Sequence, residues 1–467
     1  MRSLATVAVT IALVLLALSS MAGAEERREI MGRPPVDVST GRAELLEDLG
    51  EARAVHLTRP GDPDARHGYA QLSYEAGDFE DALLLLEPLL AEAEPAVDVL
   101  MLAARTEYLL ARYDLAEALL HRVLKREPDN TAAAAKLVFI YYQTNRYSQC
   151  ETLPGKALEG MRLPHLDLMK SFGNDAPYRI SWLAGDETSV PFVVTDPLPL
   201  IKVEVQGREV TALIDTGGDA FILDPEIAAA LGIEVVASMA GMFAGGMEAE
   251  VGFGRAESLT LGGATLHSVP ISILPTGGMT IGGEQIEGIV GTGVLKQFLA
   301  TLDYPNGELV LRAPVGHAAS AFRSGASGKV LDEVPFYLQS THFLLARGSV
   351  NGVDDLLFHV DSGLAGTPAF SAPRQTLDYV GIPVPEVEVH EGMVGGGGGG
   401  FATGTFEIAE LGLGGLVQSD LVGDFGALPP QGYRMLGFIQ DGLISHNFLR
   451  AYAWTLDFER MRMVFTQ

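Results

Sequence analysis

The sequence predicts a multidomain α and β protein in which α-helical repeats are followed by two all-β lobes. Three observations lead to this prediction. Aromatic residues recur every 34 positions, at Phe79, Tyr113 and Tyr147. Further along the chain, helical periodicity gives way to short Val, Ile, Leu and Phe runs separated by Gly, Pro and Asn. That second part contains the turn sequence Asp-Thr/Ser-Gly twice, at Asp215 and Asp361, each time after an apolar strand.

Length and charge narrow the class of protein. A chain of 467 residues exceeds what one compact core holds, so we expect two or three domains. The chain has 32 Lys and Arg against 60 Asp and Glu, which gives a net charge of −28. Nucleic acids require a basic surface, so this balance indicates an acidic, soluble surface and no nucleic-acid partner.

The first 24 residues have the features of an export signal. Arg2 precedes an apolar run at 7–18, and Ala22 and Ala24 flank Gly23 in a small-x-small cleavage pattern. We therefore predict a signal peptide over residues 1–24 and an exported protein, either periplasmic or secreted. An uncleaved membrane anchor is the alternative, because the apolar stretch is nearly long enough to span. Residues 25–59 form an N-terminal segment that we expect to be flexible or a removable pro-segment.

The aromatic period belongs to a longer repeat. Small residues fall in the same register, namely Ala70, Ala104 and Val138, followed by Ala82, Ala116 and Cys150. Small residues where two helices touch, with an aromatic after a turn, resemble tetratricopeptide repeats over residues 60–165. The third unit is only partial, since Pro154 and Gly155 shorten its second helix. The resemblance implies either a surface for a protein partner or a structural cap on the neighbouring domain.

Cys150 is the only cysteine, so the chain can form no intramolecular disulfide. Its place in the repeat predicts a helix-packing role and argues against a reactive thiol.

The β-rich part reads as two similar units written in tandem. The run LTLGG at 259–263 corresponds to LGLGG at 411–415, and VPF precedes each Asp-Thr/Ser-Gly turn. We predict a linker at 166–188, a first lobe at 189–315, a linker at 316–333 and a second lobe at 334–467.

The paired turns resemble those of pepsin-like or duplicated retropepsin-like aspartic peptidases over about residues 185–467. Two carboxylates in contact cannot both ionise, so one keeps a proton while the other activates a water. The resemblance implies that Asp215 and Asp361 form this catalytic pair on a bilobal all-β pepsin-like (acid protease) domain. The residues expected to support the pair are Thr216, Gly217, Ser362 and Gly363. The mechanism needs no cofactor, and the histidines lack metal-ligand spacing, so no metal is expected.

The second lobe departs from the family pattern at one position. The first lobe has the expected two apolar residues and glycine at Ile289-Val290-Gly291, whereas the second has Leu443-Ile444-Ser445. Ser445 therefore raises the question of how closely the chain packs beneath Asp361. Two further polar residues, His359 and Asp219, lie near the turns. We expect a packed or rim histidine and a solvated turn carboxylate, with a catalytic or tuning role as the alternative.

Two glycine-rich stretches are candidates for flaps over the pair. Residues 238–253 contain Gly241, Met242 and Phe243 near the tip of a predicted hairpin, and residues 392–406 contain Phe401. Methionine and aromatic side chains could contact an apolar substrate there. Plain flexible loops are the alternative.

These observations predict an exported aspartic endopeptidase that hydrolyses peptides or proteins, with repeats that dock a partner or substrate. The alternative is a non-catalytic peptide-binding or adaptor protein on the same duplicated scaffold.

Overall fold

The computed structural model describes residues 41–161, 163–243, 247–276, 278–326, 328–389, 402–426, 428 and 436–467. The predicted signal peptide and Phe401 lie outside these residues. Within them, no helix is long and apolar enough to cross a membrane.

The first part of the described chain is helical. Its helices are α1 (Arg42–Thr58), α2 (Pro63–Ala76), α3 (Phe79–Leu90), α4 (Val97–Leu109), α5 (Tyr113–Arg126), α6 (Thr131–Gln143), α7 (Gly155–Leu158) and α8 (Pro164–Ser171). Helix α2 packs on α3, and α4 packs on α5, as two helix pairs. Phe79 and Tyr113 begin the second helix of each pair, whereas Tyr147 begins a short 3-10 turn, Tyr147–Thr152. The partial third repeat was thus predicted correctly, and Cys150 is buried there.

Helix α1 lies inside the segment that we expected to be flexible. Its Leu45 is buried, and its Arg42 forms an ion pair with Asp441 near the end of the chain, with 2.7 Å between Nη1 and Oδ2. Residues 42–58 are therefore a docked helix, because burial of Leu45 and this ion pair hold the segment on the β-rich part.

The first β unit follows the helices. Its strands are β1 (Arg179–Trp182), β2 (Glu187–Val194), β3 (Leu200–Val205), β4 (Arg208–Ile214), β5 (Phe221–Leu223), β6 (Val235–Phe243), β7 (Met247–Leu261), β8 (Ala264–Ile273), β9 (Thr280–Ile281), β10 (Glu284–Gln285), β11 (Gly288–Val290), β12 (Leu299–Asp303) and β13 (Glu308–Arg312). Two short helices accompany them, α9 (Pro225–Ala230) and α10 (Thr292–Leu295). The β3–β4 hairpin turns at Gln206-Gly207, where both residues have positive φ, as such two-residue turns require.

The second β unit repeats this order. Its elements are α11 (His317–Ala321), β14 (Val330–Gln339), β15 (Phe343–Val350), β16 (Val353–Val360), β17 (Phe370–Ala372), α12 (Arg374–Val380), β18 (Glu388–Val389), β19 (Ala402–Leu413), β20 (Leu416–Phe425), β21 (Gly442–Ile444), α13 (His446–Leu449), β22 (Ala453–Asp457) and β23 (Arg462–Thr466).

The strand pairings of the two units correspond. In the first unit β11 runs parallel to β4 and antiparallel to β5, and β5 runs parallel to β8. In the second unit β21 runs parallel to β16 and antiparallel to β17, and β17 runs parallel to β20. The duplication read from the sequence is therefore present in the sheet pairings.

A six-stranded antiparallel sheet joins the units. Its order is β2–β13–β12–β22–β23–β14, so each unit supplies three neighbouring strands. The contact between units lies at the β12–β22 pairing, where Thr301 and Thr455 are direct partners and share a hydrogen bond of 2.6 Å.

Both segments that we treated as linkers contain secondary structure. Residues 166–188 include most of α8 and all of β1, which pairs with β8 of the first unit. Residues 316–333 include α11, a π-type turn over Phe322–Ala326 and the start of β14. Arg323 in that turn forms two hydrogen bonds with buried Asp457. Small residues suggested flexibility in the segment between the lobes, but these contacts give both segments a defined place.

The helical repeats pack against both β units. Phe79 and Leu102 share a buried cluster with Leu345 and Leu443 of the second unit. A second buried cluster joins helices α4–α8 to the first unit. Helix α8 packs on β6 and β7. These contacts support the structural-cap alternative for the repeats.

Candidate functional site

Each Asp-Thr/Ser-Gly turn sits at the end of a central strand. Strand β4 ends at Ile214, and the Asp215 N–H donates to the Val290 carbonyl, 3.1 Å away. Strand β16 ends at Val360, and the Asp361 N–H donates to the Ile444 carbonyl, 2.9 Å away. Because the neighbouring parallel strand extends the ladder to the aspartate, both side chains are held in equivalent positions.

The two turns face each other. A Cβ placed on Gly217 would lie 2.7 Å from Oδ2 of Asp361, and one on Gly363 would overlap the carboxylate of Asp215. Each aspartate therefore lies against the glycine of the opposite turn, and only glycine leaves room for it. Each glycine N–H also donates to the aspartate of its own turn, at 2.7 Å to Asp215 and 2.8 Å to Asp361. Asp215 and Asp361 are 0% and 1% exposed, so the pair is fully buried.

Thr216 and Ser362 connect the turns through four reciprocal hydrogen bonds. The Thr216 hydroxyl donates to the Val360 carbonyl at 3.0 Å and accepts from the Ser362 N–H at 3.0 Å. The Ser362 hydroxyl donates to the Ile214 carbonyl at 3.1 Å and accepts from the Thr216 N–H at 3.0 Å. Both side chains are fully buried. This arrangement fixes the separation of strands β4 and β16.

Comparison with known proteins agrees with this geometry. Residues 201–294 match the model of a family described as aspartyl protease, and residues 110–158 match a family described as tetratricopeptide repeat. The chain thus contains a segment similar to aspartyl proteases, preceded by a segment similar to tetratricopeptide repeats. The matched part of the protease domain includes Asp215, and Asp361 lies beyond it.

Two curated relatives are similar over a limited length. DNA damage-inducible protein 1 of Neurospora crassa is 31% identical over 117 residues, and the protein of that name from Chaetomium globosum is 31% identical over 118 residues. Each match covers 24% of this chain and 24% of the relative. The matched segment thus spans about a quarter of the length of these relatives. A retropepsin-like aspartic protease from Rickettsia conorii aligns at 17% identity and a TM-score of 0.21, covering 29% of this chain and 96% of that one.

Burial and mutual repulsion set the protonation state of the pair. Burial disfavours a charged carboxylate, and the proximity of Asp361 acts in the same direction, so the pKa of Asp215 lies well above its ordinary value. Burial likewise raises the pKa of Asp361, while hydrogen bonds from backbone N–H groups oppose that rise. The pair titrates as a unit and retains a proton to higher pH than an isolated carboxyl would.

Asp219 of the protease domain is buried, not solvated as we expected. It is 5% exposed, and its Oδ2 lies 3.5 Å from Nε2 of His165 on helix α8. Burial acts to raise the pKa of Asp219, but the His165 hydrogen bond and the nearby His342 and Thr341 outweigh it and lower the pKa. The expectation was wrong because His165, 54 residues earlier in the chain, reaches the loop that follows strand β4.

Sequence reasoning missed His165 altogether. Its ring packs against Tyr142 at 4.9 Å and against Phe253 of the β6–β7 hairpin at 5.2 Å. A single histidine in a short helix carries no motif, so only the spatial contact with Asp219 reveals it.

His359 is a packed residue, in line with the first of our two interpretations. It is 1% exposed, its ring lies 4.9 Å from that of Phe343, and burial lowers its pKa to about 3. An uncharged ring in that position has no evident part in the chemistry of the pair.

Ser445 fits where the first unit has Gly291. A Cβ on Gly291 would clash with the carbonyls of Gly218 and Ala220. In the second unit Phe370 lies nine positions after Asp361, whereas in the first unit Phe221 lies six positions after Asp215. In that longer loop the Ser445 hydroxyl donates to the Pro368 carbonyl at 2.6 Å. The extra loop length therefore provides both room and a hydrogen-bond acceptor for the serine side chain.

The described residues of 238–253, where we predicted a hairpin, lie in strands β6 and β7. Strands β6 and β7 pair from Val235↔Gly254 to Phe243↔Met247, and Gly241 pairs with Ala249 within them. Met242 lies one residue further along β6. Residues 392–401 of the second glycine-rich stretch, which include Phe401, lie outside the described residues.

Proposed function

We propose that this protein is an exported aspartic endopeptidase whose Asp215/Asp361 pair hydrolyses peptide bonds. The observation that carries the proposal is the mutual contact of the two turns, each aspartate lying against the glycine of the other. Export rests on the signal-peptide pattern at residues 1–24.

The proposed mechanism follows from the shared proton. The ionised carboxylate removes a proton from a water placed between the two side chains, and the protonated carboxyl donates a hydrogen bond to the scissile carbonyl. The resulting tetrahedral intermediate breaks down by proton transfer to the leaving amine. Asp215 Oδ2 has no hydrogen-bond partner among the described residues outside the pair, which is consistent with a proton shared between the two carboxyls.

We further propose that the two β units are the lobes of a single-chain pepsin-like domain. Their matching strand pairings and the shared six-stranded sheet support this arrangement. The groove would then lie between the lobes, beneath the β6–β7 hairpin.

The repeats have a structural role in this proposal, because their helices pack on both lobes. Helix α8 contacts the hairpin strands, and His165 reaches the catalytic loop through Asp219. Docking of a protein partner or substrate would use the faces that these contacts leave exposed.

The test is a peptide library incubated with the mature protein and read by mass spectrometry. Asp215→Asn and Asp361→Asn should each reduce cleavage by about a thousandfold or more, since the pair fails when either member cannot ionise. Asp354→Asn is the matched control, because that exposed residue lies on the strand leading to Asp361. EDTA should leave the wild-type rate unchanged.

The outcomes separate enzyme from adaptor. Cleavage that survives either catalytic substitution would overturn the dyad. Binding of a statine-containing peptide without any turnover would identify the non-catalytic, peptide-binding alternative.

A further inference from the structure

Each β unit carries a row of side chains across four adjacent strands, ending beside its catalytic aspartate. In the first unit the row crosses β8, β5, β11 and β4 as Ser272, Ile222, Ile289 and Leu213. In the second unit the equivalent row crosses β20, β17, β21 and β16 as Asp424, Ser371, Leu443 and His359.

Both rows face away from the core of their unit. Side chains alternate along a strand, so Leu213 and His359 lie on the same face as the aspartates two residues later. The residues that directly precede Ser371 and Asp424 on their strands point the other way. Phe370 lies in the buried core, and a Cβ on Gly423 would clash with Phe406, which lies in the same core. The rows therefore line the side towards which the catalytic carboxylates project.

The first row is apolar at the three positions nearest the dyad, and these three lie against the hairpin. Ile222, Ile289 and Leu213 share a buried cluster with Met239 and Val251 of strands β6 and β7. An apolar substrate side chain fits this environment.

The second row differs at the two strands furthest from the dyad. Asp424 and Ser371 are 3% and 1% exposed, and each has a polar atom without a hydrogen-bond partner among the described residues, Asp424 Oδ1 and Ser371 Oγ. Buried polar atoms are normally paired, because leaving one unpaired costs free energy. Nearer the dyad, Leu443 packs in the cluster with the helical repeats, and both ring nitrogens of buried His359 also have no hydrogen-bond partner among the described residues.

We propose that Asp424 and Ser371 form a substrate subsite that accepts a basic side chain, Lys or Arg, in the second lobe. This inference rests on the proposed peptidase function. A cation with several N–H donors would satisfy both unpaired oxygens and neutralise the carboxylate. Strand β20 is three strands from β16, roughly 14 Å at the usual strand spacing, so a long side chain is required.

The charge state of Asp424 agrees with this assignment. Burial raises the pKa of Asp424 to about 6, and the neighbouring Ser371 hydroxyl limits that rise. A cationic side chain bound against this carboxyl would favour its ionised form. The row in the first lobe is mainly apolar, whereas the row in the second lobe ends at an acidic residue. The enzyme should therefore prefer one apolar and one basic residue near the cleaved bond.

The experiment compares matched peptides that carry Lys or norleucine at each position around one scissile bond. The wild type should favour Lys at one position by about tenfold in kcat/KM, the scale of a charged hydrogen bond. Asp424→Asn should lose that preference, so that the Lys and norleucine peptides are cleaved with similar kcat/KM. Asp420→Asn, an exposed residue on the same strand, is the matched control and should retain it.

A second variant and a binding measurement complete the test. Ser371→Ile, which copies Ile222 of the first lobe, should shift the preference towards norleucine. Statine inhibitors that differ only in Lys or norleucine should show the same discrimination when their binding to the wild type is measured by calorimetry. This measurement tests the subsite even if a variant does not fold. Cleavage with no basic preference at any position would overturn the subsite alone. Failure to cleave any peptide would overturn the peptidase function and the subsite with it.

Discussion

Replacing Arg42 by methionine should destabilise the folded protein although Arg42 lies far from the dyad in sequence. Its guanidinium donates to Asp441 Oδ2 at 2.7 Å and to the Asp355 carbonyl at 2.6 Å. The Leu357 N–H donates to the same Asp441 oxygen at 2.7 Å. Arg42 and Asp441 are 5% and 0% exposed, so the ion pair is buried. Asp441 immediately precedes β21, the strand that hydrogen-bonds to the Asp361 N–H.

The magnitude follows from the burial of both partners. Methionine fills a similar volume but leaves the Asp441 carboxylate without its cation. Removing one member of a buried ion pair costs about 3–5 kcal/mol, because an uncompensated charge remains in the interior. The double substitution Arg42→Met with Asp441→Leu should recover most of this loss, since apolar residues can replace a buried pair.

The assay is urea unfolding at two pH values. Burial raises the pKa of Asp441 above its ordinary 3.8, and Arg42 limits that rise. Without Arg42 the pKa of Asp441 rises further. The loss in the free energy of unfolding is therefore small at pH values where the Asp441 carboxyl is protonated, and it grows as the carboxyl ionises at higher pH. We expect a larger loss at pH 7 than at pH 4.

Arg53→Met is the matched control, since Arg53 is exposed on the same helix. A loss below about 1 kcal/mol for Arg42→Met, comparable to an exposed ion pair, would refute the reasoning and leave helix α1 open to removal as a pro-segment.

Three further predictions follow from the protease domain and its contacts. Thr216→Val should lower the free energy of unfolding by about 2–4 kcal/mol, because it leaves the Ser362 N–H and the Val360 carbonyl unpaired. Thr216→Ser should lower it much less, and equal losses in urea unfolding would contradict this reasoning. The kcat/KM profile should be bell-shaped with a maximum at roughly pH 4 to 6.5, since the buried pair keeps its shared proton above the ordinary carboxyl range, and a rate constant through pH 8 would argue against the pair. A chain that begins at Pro177 should lose its cooperative thermal transition, because removing the helices exposes apolar residues on both lobes; a sharp transition with intact cleavage of short peptides would show that the lobes fold alone.

Several elements could be predicted because their signals are local or repeated. The 34-residue period identified the helix pairs, and Pro154 and Gly155 identified the shortened third repeat. The two Asp-Thr/Ser-Gly turns were found because each follows an apolar strand and the surrounding sequence recurs. Their duplication is the reason that one common turn sequence became a candidate pair.

Other features could not be read from the sequence because their partners are distant in the chain. Asp219 looks like a solvated turn residue until His165 packs beside it, and small-residue segments look like linkers until Arg323 binds Asp457. Ser445 looks like a defect until the longer loop after Asp361 supplies room for it. In each case the local pattern is unremarkable, and the contact that decides the outcome joins residues with no sequence relation.

The sequence by itself determined which residues could form the proposed catalytic pair, because strand periodicity and turn chemistry are local properties of the chain. Only the tertiary structure decided how that pair is held: each carboxylate lies against a glycine of the opposite turn, four hydrogen bonds cross between Thr216 and Ser362, and the repeats pack on both lobes. The physical reason is that burial, pKa and hydrogen-bond satisfaction depend on which distant groups exclude water from a site, and this is set by packing and not by the order of residues.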